Sequence, residues 1–539
     1  MGGNNSWKSF GANSQDDTNL RRALNPHHTE DSTGSSNCME RNNIPGAEAS
    51  QKEMEMPRSM NFQLYPLLSL PHRPRVGSKF SPTPSTSLLP CLTAVCRISS
   101  DVHTSIPLPL PRPPLPEAAY IHLPFCRRRC HYCDFPIVAL GSSSHRLDDD
   151  PRISTYIRFL LHEISAAKAP SSLHPPIRTV YFGGGTPSLV PPRLVRSVLE
   201  AIRAKFGELA ADAEVSMEMD PGTFDARRLD EMVGVVGVNR VSLGVQAFQE
   251  ELLQACGRAH GRGEVDEAIE LVAGCRGIES WSLDLISSLP HLTEEMWEES
   301  LRLAVSARPQ HVSIYDLQVE QGTKFAKLYT PGEFPLPTES QSAYFYKMAS
   351  EKLSKAGYEH YEISSYCKPG HECQHNQTYW QNRPFYGFGL GSASFINGVR
   401  FSRPRRLKEY EQYVKKLEMK TTAEEDDDVA IVDAKETAMD MVMLSMRTAR
   451  GLDLKWFESF FGEAMKLSLC RAWRPYIDSG HIVAMDEEKR VVATCDFELE
   501  MAGGGQRRRW EVAFLRLSDP EGFLMSNELI AISFGVLSP

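Results

Sequence analysis

Six short apolar runs, each followed by an amphipathic stretch, constrain the fold of this chain more than any other feature of its sequence. The runs are AYIHL (119–123), TVYF (179–182), EVSMEM (214–219), RVSLGV (240–245), WSLDLI (281–286) and HVSIYDL (311–317). The stretch PPRLVRSVLEAIRAKFG is typical of the intervening helices, because prolines open it and Gly207 ends it. Strands that alternate with helices form parallel sheets with right-handed crossovers. A closed barrel takes eight such units, so six predict an α/β fold with a partial (β/α)6 barrel over residues 116–350.

Three cysteines follow the first predicted strand within eight residues, at Cys126, Cys130 and Cys133 in the stretch IHLPFCRRRCHYCDF. The carboxyl ends of the strands form the active face of such a barrel, so we expect this loop on that face. Structural zinc sites use four ligands, and disulfides use cysteines in pairs. Three thiolates therefore indicate a metal centre that keeps one position open. Zinc completed by His122 or His131 is the alternative.

Three glycines follow the second predicted strand in the run YFGGGTPS. Glycines at such a place let the backbone approach a ligand closely and point N–H groups at an anion. A P-loop would require Gly-Lys-Ser/Thr, whereas this run ends in Thr186-Pro187. A plain tight turn would also explain the glycines, but their place on the cysteine face favours a binding loop.

The combination of these features resembles the radical S-adenosylmethionine (SAM) superfamily. The spacing is Cys-x3-Cys-x2-Cys, and Tyr132 precedes the third cysteine. In that superfamily three thiolates bind a 4Fe-4S cluster, and SAM fills the open position. The resemblance extends over residues 118–535 and is strongest to the branch that contains oxygen-independent coproporphyrinogen III oxidase and the HemW heme chaperones. The motifs that follow the order of that branch are AYIHLPFC, YFGGGTPS, EMDPG, NRVSLGVQAF, GRAH, LDLISSLP, HVSIYDL and GFGLGSAS.

The resemblance implies which residues contact the two cofactors. The three cysteines would hold the cluster. Acidic residues would accept hydrogen bonds from SAM, Arg258 would suit its carboxylate, and the glycine loop would supply backbone donors. The implied SAM contacts are Tyr120, Tyr132, Gly184, Gly185, Thr186, Glu218, Gln246, Arg258 and Asp284.

Two features separate the two members of this branch. The oxidase has a fourth cysteine two positions after the third, whereas this chain has Phe135 there, as the HemW proteins do. The run HNQTYW matches the HNxxYW pattern that the HemW proteins associate with heme. The heme candidates are His375, Asn376, Tyr379 and Trp380.

The HNQTYW run has two other interpretations. A His-Asn pair that caps a turn beside two core aromatic residues would have the same sequence. The residues His371, Cys373 and His375 also have a spacing that could hold a metal, although a second cluster of ligands at a distance is absent from the sequence.

The chain departs from the pattern of the branch at a few positions. Ser288 stands where glycine is usual before Leu-Pro, His291-Leu292 where Gly-Gln is usual, and Ser365 where asparagine is usual, whereas Asn527 is retained. Ser288 adds a side chain to a loop near the expected SAM pocket, so we expect small changes in the geometry of that pocket.

The remaining segments differ in composition. Residues 1–56 are polar and predict a disordered extension. Residues 57–115 read as a transit peptide and a Pro-rich linker, because Asp and Glu are absent from Arg58 to Ser100 while arginines recur. A chloroplast or mitochondrial location follows from that interpretation; a plain linker and a cytoplasmic location are the alternative. Residues 351–429 form a Tyr/His/Gly-rich connecting region, and residues 430–539 predict a small helical, winged-helix-like domain similar to that of the oxidase (HemN).

The charge and apolar content of the chain limit its partners. It has 59 Lys and Arg against 69 Asp and Glu, a net charge of −10, which argues against nucleic acid as the main partner. No run of about 18 apolar residues predicts a membrane span. The twelve cysteines are spread too thinly for a disulfide scaffold.

The sequence thus leads to three hypotheses about function. The first is a heme chaperone that binds a 4Fe-4S cluster and SAM and delivers heme to recipient proteins. The second is an oxygen-independent coproporphyrinogen III oxidase, which would need an electron donor and would decarboxylate a porphyrinogen through a radical derived from SAM. The third is a cluster-binding protein with an unrelated radical substrate. A homodimer is compatible with all three.

Overall fold

The computed structural model describes residues 114–141, 149–168, 174–419, 434–492 and 512–537. The predicted extension 1–56 and the predicted transit peptide and linker up to residue 113 lie outside the described residues. Among the described residues, no helix is long and apolar enough to span a membrane.

A parallel sheet wrapped by helices occupies the first part of the described chain, as the alternating pattern predicts. Its elements are β1 (Ala118–Leu123), β2 (Phe125–Cys126), β3 (Val138–Ala139), α1 (Pro151–Ala166), β4 (Ile177–Gly184), α2 (Pro192–Phe206), β5 (Leu209–Met219), α3 (Ala226–Glu231), β6 (Arg240–Gln246), α4 (Glu250–Ala255), α5 (Arg262–Gly274), β7 (Ser280–Ser287), α6 (Glu294–Ala307), β8 (His311–Asp316), α7 (Phe325–Leu328) and α8 (Glu339–Lys355). The strands β1, β4, β5, β6, β7 and β8 coincide with the six predicted runs and pair in parallel in that order. The prediction of a six-stranded partial barrel is confirmed.

The following segment extends this sheet at both edges. It contains β9 (Glu359–Glu362), β10 (Ser365–Cys367), α9 (Gln374–Trp380), β11 (Tyr386–Phe388), β12 (Ala393–Ile396), β13 (Val399–Ser402) and α10 (Leu407–Met419). The strand β11 adds in parallel to β1, and β10 adds antiparallel to β8, with β9 beyond it. The sheet therefore has nine strands, three of them contributed by the predicted connecting region.

Both faces of the barrel strands are buried, but the two faces differ in polarity. Outward residues such as Ile121, Phe182 and Leu243 join the apolar core beneath the helices. Inward residues are largely polar, and serines from four neighbouring strands line a cavity inside the barrel. These serines are Ser216, Ser242, Ser282 and Ser313.

A buried carboxylate ties α1 to the segment that returns along β11. Glu163 accepts hydrogen bonds from the Gly389 backbone at 2.8 Å, Arg403 at 2.7 Å and the Tyr410 hydroxyl at 2.7 Å. A Cβ on Gly389 would meet the His122 carbonyl oxygen at 2.7 Å. The end of β1, and with it the start of the cysteine loop, is thereby fixed against α1.

The described residues after 434 form a second, smaller core. Its elements are α11 (Ala434–Met446), β14 (Leu452–Asp453), α12 (Leu454–Phe461), α13 (Glu463–Asp478), β15 (Ile482–Met485), β16 (Phe514–Leu517), α14 (Glu521–Leu524) and α15 (Ser526–Leu537). The three strands form an antiparallel sheet in the order β14-β16-β15. Phe457, Trp473 and Leu515 are fully buried in this core, and Trp380 of α9 packs into it.

Candidate functional site

The cysteine loop lies at the end of β1 and is held in place by a short pair of strands and by hydrogen bonds. The short strands β2 and β3 pair in parallel and close it. Arg129 donates hydrogen bonds to the carbonyl oxygens of Cys133 at 3.0 Å and Phe135 at 2.8 Å. The His131 N–H donates to the carbonyl oxygen of Cys256 at 2.8 Å. The loop therefore holds its three cysteines in a fixed arrangement, and all three are half-buried free thiols.

These three thiols line an open cavity at the carboxyl ends of the strands, with about 1300 Å³ of empty space counted to its mouth. Eight of the nine residues that the sequence implies as SAM contacts also line it. They are Tyr132, Gly184, Gly185, Thr186, Glu218, Gln246, Arg258 and Asp284. Residues from six different strands and loops are thus brought to one place beside the cysteines.

The ninth residue, Tyr120, lies elsewhere. It is 3% exposed, and its hydroxyl is 3.2 Å from Nδ1 of His122. Its ring stacks with that of Tyr181 at a centroid distance of 6.2 Å. Tyr120 lines a separate cavity inside the barrel and does not reach the wall of the cysteine cavity.

The glycine loop packs more tightly than the sequence indicates. Gly184 has a φ of 118°, and a Cβ there would lie 2.6 Å from the His122 ring. The Gly184 N–H donates to Glu218 at 2.9 Å, and the Gly185 N–H donates to the Leu123 carbonyl at 2.9 Å. The expectation that these glycines offer free backbone donors is wrong, because protein acceptors occupy both N–H groups. The glycines instead allow the loop to lie against the cysteine loop.

Two carboxyl groups line the cavity, that of the half-buried Glu218 and that of the buried Asp284. Glu218 accepts from the Gly184 N–H and, at 3.3 Å, from the Tyr181 hydroxyl, and burial raises the pKa of its carboxyl to about 8. Asp284 accepts from Ser282 at 2.7 Å and Ser242 at 2.6 Å, and burial raises its pKa also. A cationic ligand in the cavity would favour the ionised form of both groups.

An arginine contacts the cysteine loop from the opposite wall. Arg258 Nη1 donates to the Tyr132 hydroxyl at 3.1 Å and to Cys130 Sγ at 3.3 Å. Its Nη2 donates to Asp220 and to the Gly244 carbonyl. Burial alone would raise the pKa of Asp220, but the Arg258 charge and His260 outweigh it and lower that pKa.

Asp220 and His260 were not among the residues implied by the sequence. Both lie inside motifs of the branch, EMDPG and GRAH, and those motifs were the signal that could have found them.

The alternative of a zinc ion completed by histidine does not fit the geometry. His122 is engaged at both ring nitrogens, by Tyr120 and by the Pro136 carbonyl at 3.1 Å. His131 is engaged by the Ala255 carbonyl at 2.8 Å and by Lys324 at 2.9 Å. Within the described ranges, no three His, Cys, Asp or Glu side chains surround a single-ion position, and this includes the spacing His371, Cys373 and His375.

The donor set fits an iron–sulfur cluster. Each cysteine of such a site binds a different iron, so the three thiols need not converge on one point. Burial raises the pKa of Cys126 to about 12 and that of Cys133 to about 11. These thiols therefore need a bound cationic centre to become thiolates.

The HNQTYW run forms the helix α9 at the other end of the barrel. Its first N–H groups, from Gln374 and His375, each donate to Glu214 of β5 at 3.1 Å. His375 is 1% exposed; its Nδ1 is 2.8 Å from the Thr179 hydroxyl and its Nε2 is 2.7 Å from the Tyr379 hydroxyl. Burial lowers the His375 pKa to about 3. The imidazole is neutral and fully engaged within the protein.

The other three heme candidates lie in different environments near the His375 imidazole. Tyr379 is buried with Tyr120 and Tyr181, whereas Trp380 belongs to the C-terminal core. Asn376 is half-buried and lines the interior cavity. Ser242 and Tyr315 line both this cavity and the cysteine cavity. The four candidates do not lie on the cysteine face.

Comparisons with known proteins agree with this geometry. The Radical SAM superfamily profile matches residues 120–304. The heme chaperone HemW of Synechocystis sp. is 39% identical over 423 residues, which cover 78% of this chain and 97% of that protein. The heme chaperone HemW of Escherichia coli is 38% identical over 279 residues, covering 51% of this chain and 69% of the relative.

Two further proteins are similar to this chain, one in sequence and one in fold. The mouse protein named radical S-adenosyl methionine domain-containing protein 1, mitochondrial, is 33% identical over 292 residues, covering 52% of this chain and 63% of the relative. The solved structure of coproporphyrinogen III oxidase (HemN) from Escherichia coli superposes with a TM-score of 0.60 at 19% identity, over 78% of this chain and 90% of that chain. At that identity the likeness establishes the fold alone.

Proposed function

Because the chain belongs to the HemW family of radical SAM proteins, we propose that it is a heme chaperone that binds a 4Fe-4S cluster and SAM and passes heme to recipient proteins. The observation that carries this proposal is the 39% identity over 97% of a relative named as a heme chaperone. The pinned loop with three free thiols in one cavity supports the cluster part of it.

In this proposal Cys126, Cys130 and Cys133 hold the cluster and the cavity walls hold SAM. A bound cluster and SAM would supply one-electron chemistry at the cavity. Glu218 and Asp284 would accept hydrogen bonds from the cationic cofactor, since Glu218 is half-buried, Asp284 is buried and both line the cavity. Thr186, Gln246 and Tyr132 complete the wall, and the backbone of Gly184 and Gly185 shapes it.

The heme part of the proposal uses α9. The neutral imidazole of His375 is the form that ligates iron, because no proton competes for its nitrogen. Its Nε2 contacts the Tyr379 hydroxyl, so iron ligation requires that hydroxyl to move away. Asn376 and Trp380 would contribute the neighbouring contacts.

The oxidase alternative has weaker support. Its similarity to this chain is one of fold, and Phe135 lines the cysteine cavity at the place of the oxidase's fourth cysteine. A reductant for the cluster would be needed if the protein cleaves SAM. We also propose that residues 57–115 direct the chain to an organelle, in line with the mitochondrial relative in mouse.

The proposal is tested by anaerobic titration of hemin into the full-length protein, followed by transfer to an apo-heme acceptor protein. We expect saturable binding and transfer. Iron and sulfide content are measured in parallel for wild type, Cys130→Ala and the control Cys275→Ala, which changes a half-buried cysteine outside the cavity. The Cys130→Ala protein should lose the cluster while the control retains it.

Absence of hemin binding in a protein that holds its cluster would overturn the chaperone assignment. The assay to make then is the decarboxylation of coproporphyrinogen III. A Cys130→Ala protein with full iron and sulfide would show that the three cysteines are not the ligands.

A further inference from the structure

Both Nη groups of the Arg258 guanidinium contact protein acceptors before any cofactor is considered. Its two Nη groups have four hydrogens, and the structure gives them four acceptors. These are Cys130 Sγ at 3.3 Å, the Tyr132 hydroxyl at 3.1 Å, the Gly244 carbonyl at 3.0 Å and the Asp220 carboxylate. The remaining donor, Nε, is buried without a partner. In this arrangement the carboxylate of SAM would have to bind Nε or replace one of these four acceptors.

Two residues on separate loops hold that guanidinium in place. Asp220 follows β5 and pairs with Arg258, and both side chains are largely buried. His260 precedes α5; it is buried, and its Nδ1 lies 3.5 Å from the same Asp220 oxygen. The carboxylate thus lies between the ring of His260, whose nitrogens have no hydrogen-bond partner among the described residues, and an arginine whose other edge contacts the cysteine loop.

We propose that Asp220 and His260 are positioning residues that hold the Arg258 guanidinium against the Cys130 sulfur, where its N–H raises the reduction potential of the cluster. The inference goes beyond heme delivery and rests only on the cluster part of the proposed function.

The physical reason is the charge that a cluster gains on reduction. Hydrogen bonds to the sulfurs and nearby positive charge stabilise the more negative, reduced state, and outer contacts of this kind tune metal sites. Arg258 supplies both a cation and a directed N–H to one of the three ligand sulfurs. Weakening its anchor allows the guanidinium to leave the sulfur, so the potential becomes more negative.

The test is a redox titration of the cluster, followed by electron paramagnetic resonance, on full-length protein without SAM. The variants are Asp220→Asn, His260→Gln, Arg258→Lys and the control Asp266→Asn. Asp266 pairs with Arg262 at 2.9 Å on the exposed face of α5, so it matches Asp220 in chemistry and differs in location. We expect a more negative midpoint potential in Arg258→Lys, a smaller shift of the same sign in His260→Gln, and none in the control. Asp220→Asn also removes a negative charge from the cavity, which by itself raises the potential. Asp220→Glu keeps that charge and displaces the guanidinium, so it should give a more negative potential.

Each outcome separates this inference from its alternatives. Wild-type protein that holds no iron would overturn the proposed function itself. Variants that hold their iron with an unchanged potential overturn the inference, and a loss of SAM affinity in those variants would make Arg258 a SAM contact instead. If Asp220→Asn fails to fold, His260→Gln and Arg258→Lys still test the proposal. An unchanged midpoint potential in both of these variants would contradict it.

Discussion

Single residues in the cysteine cavity have environments that alter their protonation. Glu218 is half-buried beside the glycine loop, and its pKa of about 8 makes it largely neutral near pH 7. A cation that binds next to it must be paired with the ionised carboxylate, since the neutral form offers no charge. The cost of removing that proton falls as the pH rises.

The affinity for SAM should therefore increase with pH. We expect the dissociation constant of the cluster-containing protein to fall between pH 7 and pH 9 and to level off above the Glu218 pKa of about 8. Glu218→Gln should remove this dependence and weaken binding at pH 9. Equilibrium dialysis with labelled SAM measures both, with the exposed Glu251→Gln as control. A pH-independent wild-type affinity would contradict the argument.

The contact between Tyr379 and His375 provides a test of heme ligation. Tyr379→Phe removes the hydroxyl that occupies Nε2 of His375. A net hydrogen bond is worth about 0.5–1.5 kcal/mol, and about 1.4 kcal/mol is tenfold in affinity. If His375 ligates iron, Tyr379→Phe should tighten hemin binding by about 2- to 10-fold, and His375→Ala should weaken it.

Tyr386→Phe is the matched control, because its hydroxyl contacts a different histidine, His174, at 3.0 Å. Spectroscopic titration with hemin gives the affinities. Equal affinity in wild type, Tyr379→Phe and His375→Ala would place the heme away from α9.

At the scale of elements, the local sequence pattern predicted the strands that contain an apolar run. It did not predict the strands that lack one. In most of the six barrel strands, such as EVSMEM and RVSLGV, apolar residues that pack beneath the helices alternate with polar residues that face the interior. The strands added at the two sides of the barrel sheet, β9, β10 and β11, have the sequences EHYE, SYC and YGF. They contain no pattern of their own and form because the edges of the barrel sheet are available for pairing.

In the candidate site, too, local sequence motifs located some residues, whereas contacts between residues far apart in the sequence could not be predicted. Family motifs located eight cavity residues, most of them at or just after the ends of barrel strands, whereas Arg258 lies between α4 and α5. The role of Asp220 could not be predicted, since its partner Arg258 is 38 positions away. The environment of His375 depends on Thr179, which is 196 positions away, and on Glu214. Such contacts arise only when the sheet has formed.

The Glu163 carboxylate is the strongest single tie between elements of the barrel. Glu163→Ala would leave the buried Arg403 without its carboxylate, and breaking a buried pair costs about 3–5 kcal/mol. We expect a loss of that size in the free energy of unfolding, measured by urea denaturation followed by circular dichroism. Glu200→Ala removes an exposed partner of Arg196 and should cost about 0–1 kcal/mol. Equal losses in the two variants would contradict the ranking.

At the scale of the whole molecule, the cysteines and α9 occupy opposite ends of one barrel. The cysteine cavity is at the carboxyl ends of the strands, and α9 contacts Thr179 and Glu214 nearer their amino ends. Cofactor binding and heme ligation at His375 would thus use separate surfaces. The polar interior, with Ser242 and Tyr315 lining both cavities, lies between them.

The location of the protein in the cell is a further property of the whole chain. A fluorescent reporter fused to residues 1–115 should enter an organelle, because residues 58–100 are free of acidic residues and rich in serine and arginine. A second fusion that begins at Met56 tests whether the preceding segment is needed. A fusion of residues 1–56 alone is the control. Diffuse cytosolic fluorescence from the first two fusions would remove the transit-peptide interpretation.

The helix α9 has a mechanical consequence for the molecule. It is seven residues long, with His375 fixed to the barrel near its start and Trp380 buried in the C-terminal core at its end. A rod of two turns transmits a displacement at one end to the other. Any displacement of His375 along the helix axis would therefore also displace Trp380 within the smaller core.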